Sequence, residues 1–198
     1  MDYLSKDEAD ALGEISNISI GSSATAMNKM LGQVITITAP QVELVHRNNV
    51  LLEHDGKCIL VKVQYTKGLY GNNFLLLHED DAKIITDLMM GNNGTGSYAE
   101  GEITDLHLSA VAEAMNQMTG TSATAMSKML GITIDISPPN VEYIVKDDYS
   151  FDDDIPEELF VKVKFRMKIG KLIDSTIIQL YPFNLAHSIY KLFQRRKY

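Results

Sequence analysis

Residues 14–40 read EISNISIGSSATAMNKMLGQVITITAP, and residues 113–139 read EAMNQMTGTSATAMSKMLGITIDISPP. At a constant offset of 99, without a gap, 15 of these 27 positions are identical. The match runs on through Val42-Glu43 and Val141-Glu142. A fainter echo sets Val61-Lys62-Val63 against Val161-Lys162-Val163. The chain is two copies of one unit, 1–93 and 94–198. A period this long, used only twice, argues against a solenoid, which needs more and shorter repeats. It predicts one domain with an internal pseudo-two-fold.

Composition narrows the function classes. The 198 residues carry 18 Lys+Arg against 26 Asp+Glu, a formal charge of −8. The only basic cluster, Arg195-Arg196-Lys197, lies at the end of the chain, so nucleic acid is not an expected partner. No apolar run approaches the ~18 residues of a membrane span, and the acidic start, Met1 to Glu8, does not read as a secretory signal. Cys58 is the only cysteine, which excludes a disulfide framework and fits a reducing, cytoplasmic setting.

Both repeats predict the same elements. Ser5-x-x-Glu8 reads as a capping box opening a long helix to Leu31, with Gly32 closing it. Thr104 takes the Ser5 position for a second helix to Leu130, closed by Gly131. Alternating β-branched stretches follow at 34–38 and 132–136, each ended by proline. Two further strands per repeat are expected at 57–66 and 71–78, then at 158–167 and 172–181. A short helix closes each half, from Asp80 to Met90 and from Pro182 to Phe193. The fold class is α/β, of the α+β kind, with a mostly antiparallel sheet and helices packed on it. The join, Gly91 to Ser97, reads as a turn-rich linker. Its Gly-x-Gly lacks the third glycine and preceding strand of a phosphate cradle.

On the first long helix Leu12, Ile15, Ser19, Ala26 and Met30 are expected on one side, flanked by Ser16 and Ser23. Glu14, Asn17 and Gly21 fall on a second stripe roughly opposite. Glu113, Asn116 and Gly120 repeat that stripe in the second helix. Asn and Gly are poor helix-interior residues, each costing up to about 1 kcal/mol against alanine. Their recurrence at one register, while neighbours such as Ile18/Gln117 and Ile20/Thr119 differ, favours a role beyond solubility as much as passive inheritance.

The pattern Asp10-x3-Glu14-x2-Asn17-x3-Gly21 followed by Pro40, and Ser109-x3-Glu113-x2-Asn116-x3-Gly120 followed by Pro139, resembles the signature of the CheC/CheX/FliY family of chemotaxis phosphatases. The runs GEISNISIGSSATAM and LHLSAVAEAMNQMTG are nearest the middle domain of its FliY branch, and the likeness covers essentially the whole chain. The resemblance implies hydrolysis of an aspartyl phosphate on a CheY-type response regulator in chemotaxis or flagellar-switch control. It implies catalytic roles for Glu14, Asn17, Glu113 and Asn116, with Asp10, Gly21, Ser109 and Gly120 at the docking surface. The carboxamide would hold an in-line water, and the carboxylate would pair with a lysine at the regulator's site. No metal or cofactor of its own is expected, since Mg²⁺ would come from the regulator. Further partners implied are the switch proteins FliM and FliN, at the base of the flagellar motor, and CheD for a CheC-like regulator. A non-catalytic docking module is the alternative reading.

Other chemistry is poorly supported. His46, His54, His78, His107 and His187 are scattered. His78-Glu79-Asp80-Asp81 reads as a helix cap and first turn rather than a metal cluster. Cys58 reads as a small buried residue. The Ser-Ala-Thr-Ala-Met run, present twice, reads as small residues for tight packing, and the Met27/Met30 and Met126/Met129 pairs as core.

Overall fold

Each long helix starts and stops where its capping residues dictate. The computed structural model describes residues 3–51, 56–149 and 156–197. Helix α1 runs Lys6–Leu31, with the Ser5/Glu8 capping box formed and Gly32 in the left-handed region at φ 63°. Helix α3 runs Asp105–Leu130 and ends on Gly131 in the same way, at φ 67°. Its capping box uses a substitute. His107 stands where Glu8 stands in α1, and its Nδ1 accepts from the backbone N–H of Thr104 at 3.1 Å.

The strands are β1 (Ile35–His46), β2 (Lys57–Lys67), β3 (Gly71–His78), β4 (Asp135–Ile136), β5 (Asn140–Val145), β6 (Leu159–Ile169) and β7 (Ile173–Pro182). The short helices are α2 (Glu79–Met89) and α4 (Phe183–Lys197). Their order in the sheet is β1-β6-β7-β3-β2-β4, with β5 also on β2, and every pairing is antiparallel. The first strand of each repeat therefore leaves its own unit. β1 pairs with β6 of the second repeat, and β4 and β5 pair with β2 of the first.

The proline expectation needs correction. β1 continues through Pro40, with a register shift between Thr38 and Gln41. Pro138-Pro139 splits the matching stretch into β4 and β5, and β4 keeps only two residues. Proline lacks a donor, so a strand tolerates it at an edge or a bulge. β1 is an edge with one proline and survives, whereas two consecutive prolines interrupt the other edge.

All four helices lie on one face of the sheet. Strand residues facing them, such as Ile59, Val61, Val63, Leu75, Leu77, Val161, Val163 and Phe165, join one core with Leu12, Ile15, Met27, Val111, Met115 and Met126. The other face carries a smaller cluster around Cys58, Leu60, Phe74, Leu76, Phe160 and Leu180. The buried side of α1 is wider than the expected stripe, because the helix packs on both β1 and α3. Leu12, Ile15, Ser16, Ser19 and Ser23 are buried as expected, and so are Ile20, Ala24, Met27 and Leu31. Ala26 and Met30 are instead half-buried, lining a surface groove with Gln117 and Thr121.

The linker is more ordered than a run of turn formers suggests. It wraps the fully buried carboxylate of Asp87, which accepts from the amides of Gly94 (2.9 Å), Gly96 (3.0 Å) and Tyr98 (3.2 Å) and from Asn92 Nδ2 (3.1 Å). The glycine amides do hold an anion, but it is the chain's own.

Candidate functional site

Asp10, Glu14 and Asn17 are exposed on α1, with Gly21 half-buried one turn further on. Ser109, Glu113, Asn116 and Gly120 take the same dispositions on α3. Residues three and four apart are neighbours on a helix surface, so each carboxylate stands beside its carboxamide. The structure brings the members of each pair together and keeps the two pairs apart. Gln117 and Thr121 share a groove with Ala26 and Met30. Asn116 therefore lies level with the C-terminal part of α1, roughly 15 Å or more along the helix from Asn17. The arrangement is two separate stripes.

The glycines are the most informative residues. A Cβ at Gly21 or Gly120 would meet nothing within 4 Å. Neither position has a positive φ, so the backbone does not require glycine either. Alanine there would stabilise each helix by about 1 kcal/mol. The fold has no use for these two glycines. Bare backbone one turn beyond an exposed Glu and Asn is what close approach by another molecule would use.

Several serine and threonine hydroxyls of the same helices bond carbonyls of their own helix. Ser22 donates to the Ser19 carbonyl at 2.8 Å, Thr121 to Gln117 at 2.9 Å and Thr124 to Gly120 at 3.1 Å. In the repeated Ser-Ala-Thr-Ala-Met run, Ser23, Ala24, Met27, Ser122, Ala123 and Met126 are buried, as a packing role requires. Met30 and Met129 are only half-buried. Burial pushes the Cys58 thiol up to about 11, out of reach of thiolate chemistry. His78 precedes α2 as its N-cap without a capping side-chain bond, and Glu79, Asp80 and Asp81 form the first turn. Among the described residues, no three His, Cys, Asp or Glu side chains gather closely enough to hold a metal ion. No described helix is long and apolar enough to cross a membrane.

A model of the CheC-like family matches residues 8–44 and 106–143, which contain both stripes. The flagellar motor switch phosphatase FliY of Bacillus subtilis (strain 168) is 46% identical over 190 residues. The crystal structure of Thermotoga maritima FliY is 41% identical, covers 98% of this chain and 99% of that one, and superposes with a TM-score of 0.90. The chain belongs to the CheC-like family. It spans 96% of its own length but only 50% of the B. subtilis protein in that match. Helicobacter pylori FliM, solved in a FliM–SpeE complex, shares the fold at a TM-score of 0.80 with 14% identity.

Sequence reading named Ile18 and Gln117 only as neighbours that differ, and it did not single out Leu106. Leu106 is 41% exposed and Ile18 is 45% exposed, both unusual for large aliphatic side chains on this surface. Gln117, at the position matching Ile18, donates from Nε2 to Glu113 Oε1 at 3.5 Å. The repeat offset lists such differences directly, but only the structure shows which of them reach solvent.

Proposed function

We propose that this chain hydrolyses the aspartyl phosphate of a CheY-type response regulator, with each long helix serving as one active surface. The observation that carries the reading is the twin exposed Glu/Asn pair beside a helical glycine that nothing inside the fold requires. Acyl-phosphate hydrolysis needs little covalent help from the protein. It needs a water held in line and compensation of charge on the phosphoryl oxygens. Asn17 and Asn116 can both accept from and donate to such a water. Glu14 and Glu113 would meet a cation at the regulator's site and fix the docking register. Asp10 and Ser109 stand one turn before them, and Gly21 and Gly120 leave room for the partner's backbone. Mg²⁺ would be the regulator's own.

The test is loss of phosphate from a phosphorylated CheY-type regulator with and without this chain. Clear acceleration is expected, and an unchanged decay would refute the reading. A place at the flagellar switch belongs to the same proposal, supported by the motor-switch name of the 46%-identical relative. Pull-downs with FliM, FliN and CheD test which partners hold it there.

A further inference from the structure

The two stripes share Glu, Asn and Gly but differ in what surrounds them. Residues 7, 10, 14, 17 and 21 of α1 and residues 106, 109, 113, 116 and 120 of α3 follow one surface line, with alternating steps of three and four. On α1 that line opens with Asp7 and Asp10, both exposed, ahead of Glu14. On α3 it opens with Leu106 and Ser109, both exposed, ahead of Glu113. Three carboxylates line one stripe and one lines the other.

Nearby charges do not undo the difference. Lys6 and Asp105 exchange signs in the opposite sense, but each stands about 12 Å of helix before its glutamate. That exceeds the ~10 Å Debye length at 0.1 M salt, and Asp7, about 10 Å before Glu14, is screened to much the same degree, so the charge difference that counts is Asp10 against Ser109. Asp10 is one turn away, about 6 Å along the axis.

The glutamates themselves are held differently. Glu113 has the exposed Gln117 amide 3.5 Å away, at the outer limit of a hydrogen bond. Glu14 has the exposed Ile18 at the same offset and no side-chain hydrogen bond or ion pair among the described residues.

From these three differences we infer that the two sites dock their partner by different physics. The α1 stripe works by charge, against a cationic rim around the phosphoryl group. The α3 stripe works by apolar contact through Leu106. The inference rests on the phosphatase reading for the nature of the partner. Asp10 and Leu106 are then specificity determinants, and the two surfaces are not redundant copies.

The experiment isolates each surface in the full chain. Gly21→Gln blocks the first stripe and Gly120→Gln the second, and a Cβ at either position meets nothing within 4 Å. A CheY-type regulator carrying beryllofluoride in place of its phosphoryl group is titrated against each variant at 50 and 300 mM salt. The Gly120→Gln protein, docking through α1, should lose affinity about tenfold at the higher salt. The Gly21→Gln protein, docking through Leu106, should change by about twofold or less. Leu106→Ser in the latter should weaken binding at both salt concentrations, and Asp10→Ser in the former should flatten its salt dependence. Equal salt dependence, or no binding by either variant, would overturn the inference. A salt split without acceleration of phosphate loss by the unmodified chain would overturn the phosphatase reading and leave the inference standing.

Discussion

Phe74 and Leu180 face each other across β3 and β7, and they are also each other's equivalents. The β2–β3 register sets Cys58 opposite His78, and the β6–β7 register sets Lys162 opposite Leu180. With Lys62 matched to Lys162, both registers place Phe74 and Leu180 at the same repeat position. The pseudo-two-fold passes between these two side chains at the middle of the sheet. Both are buried, on the face away from the helices. The halves thus meet back to back at this pair and trade their outer strands beyond it.

That trade predicts how a half behaves alone. Residues 1–93 would keep β1 without its partner β6, and β2 without β4 and β5. Unpaired strands with apolar faces recruit other chains. The isolated half should aggregate or form a swapped dimer by size-exclusion chromatography. A stable monomer would contradict the topology's consequence.

Much of the fold was legible because the local signals were strong. Ser5, Gly32, Thr104 and Gly131 marked helix ends, and the strands read at 57–66, 71–78, 158–167 and 172–181 lie within two residues of their observed limits. Pro40 misled, since a proline stops a central strand but not an edge strand with a bulge. Strand exchange was invisible, since pairing partners leave no periodic trace. The Glu/Asn/Gly stripe was legible from the repeat. The emptiness around Gly21 and Gly120, which bears most on function, was not.

Gly21→Ala and Gly120→Ala should each raise stability by about 0.5–1 kcal/mol, measured by urea denaturation. The same variants should slow regulator dephosphorylation, because a methyl group stands where the partner approaches. Loss of stability would mean the glycines serve the fold after all.

Asp87 should control acid sensitivity. Burial would raise its carboxyl, but the amides of Gly96, Gly94 and Tyr98 and the Asn92 amide outweigh it and hold the group below the ordinary carboxylate range. A depressed folded value gives stability that is complete above the unfolded value, about 3.9. That stability fades as pH falls through the folded value. Asp87→Ala leaves several donors unpaired and should cost about 3 kcal/mol at pH 7. Stability curves of the two proteins should converge below about pH 4. A constant gap down to pH 2 would show that the carboxylate's charge is not what the loop needs.

The glutamates and asparagines should separate kinetically. Replacing Glu14 and Glu113 together by glutamine keeps shape and removes charge, so the half-saturating regulator concentration should rise, most at low salt. A silent double substitution at low salt would remove the docking role.

The central claim is that Asn17 and Asn116 act on the reacting water. The most direct measurement is a saturation curve of regulator dephosphorylation for the Asn17→Ala/Asn116→Ala chain, beside a thermal melt of the same protein. Both side chains are exposed, so the melt should match that of the unmodified chain. Turnover should fall by about 100-fold or more with half-saturation nearly unchanged. Full turnover in that folded double variant would contradict the account.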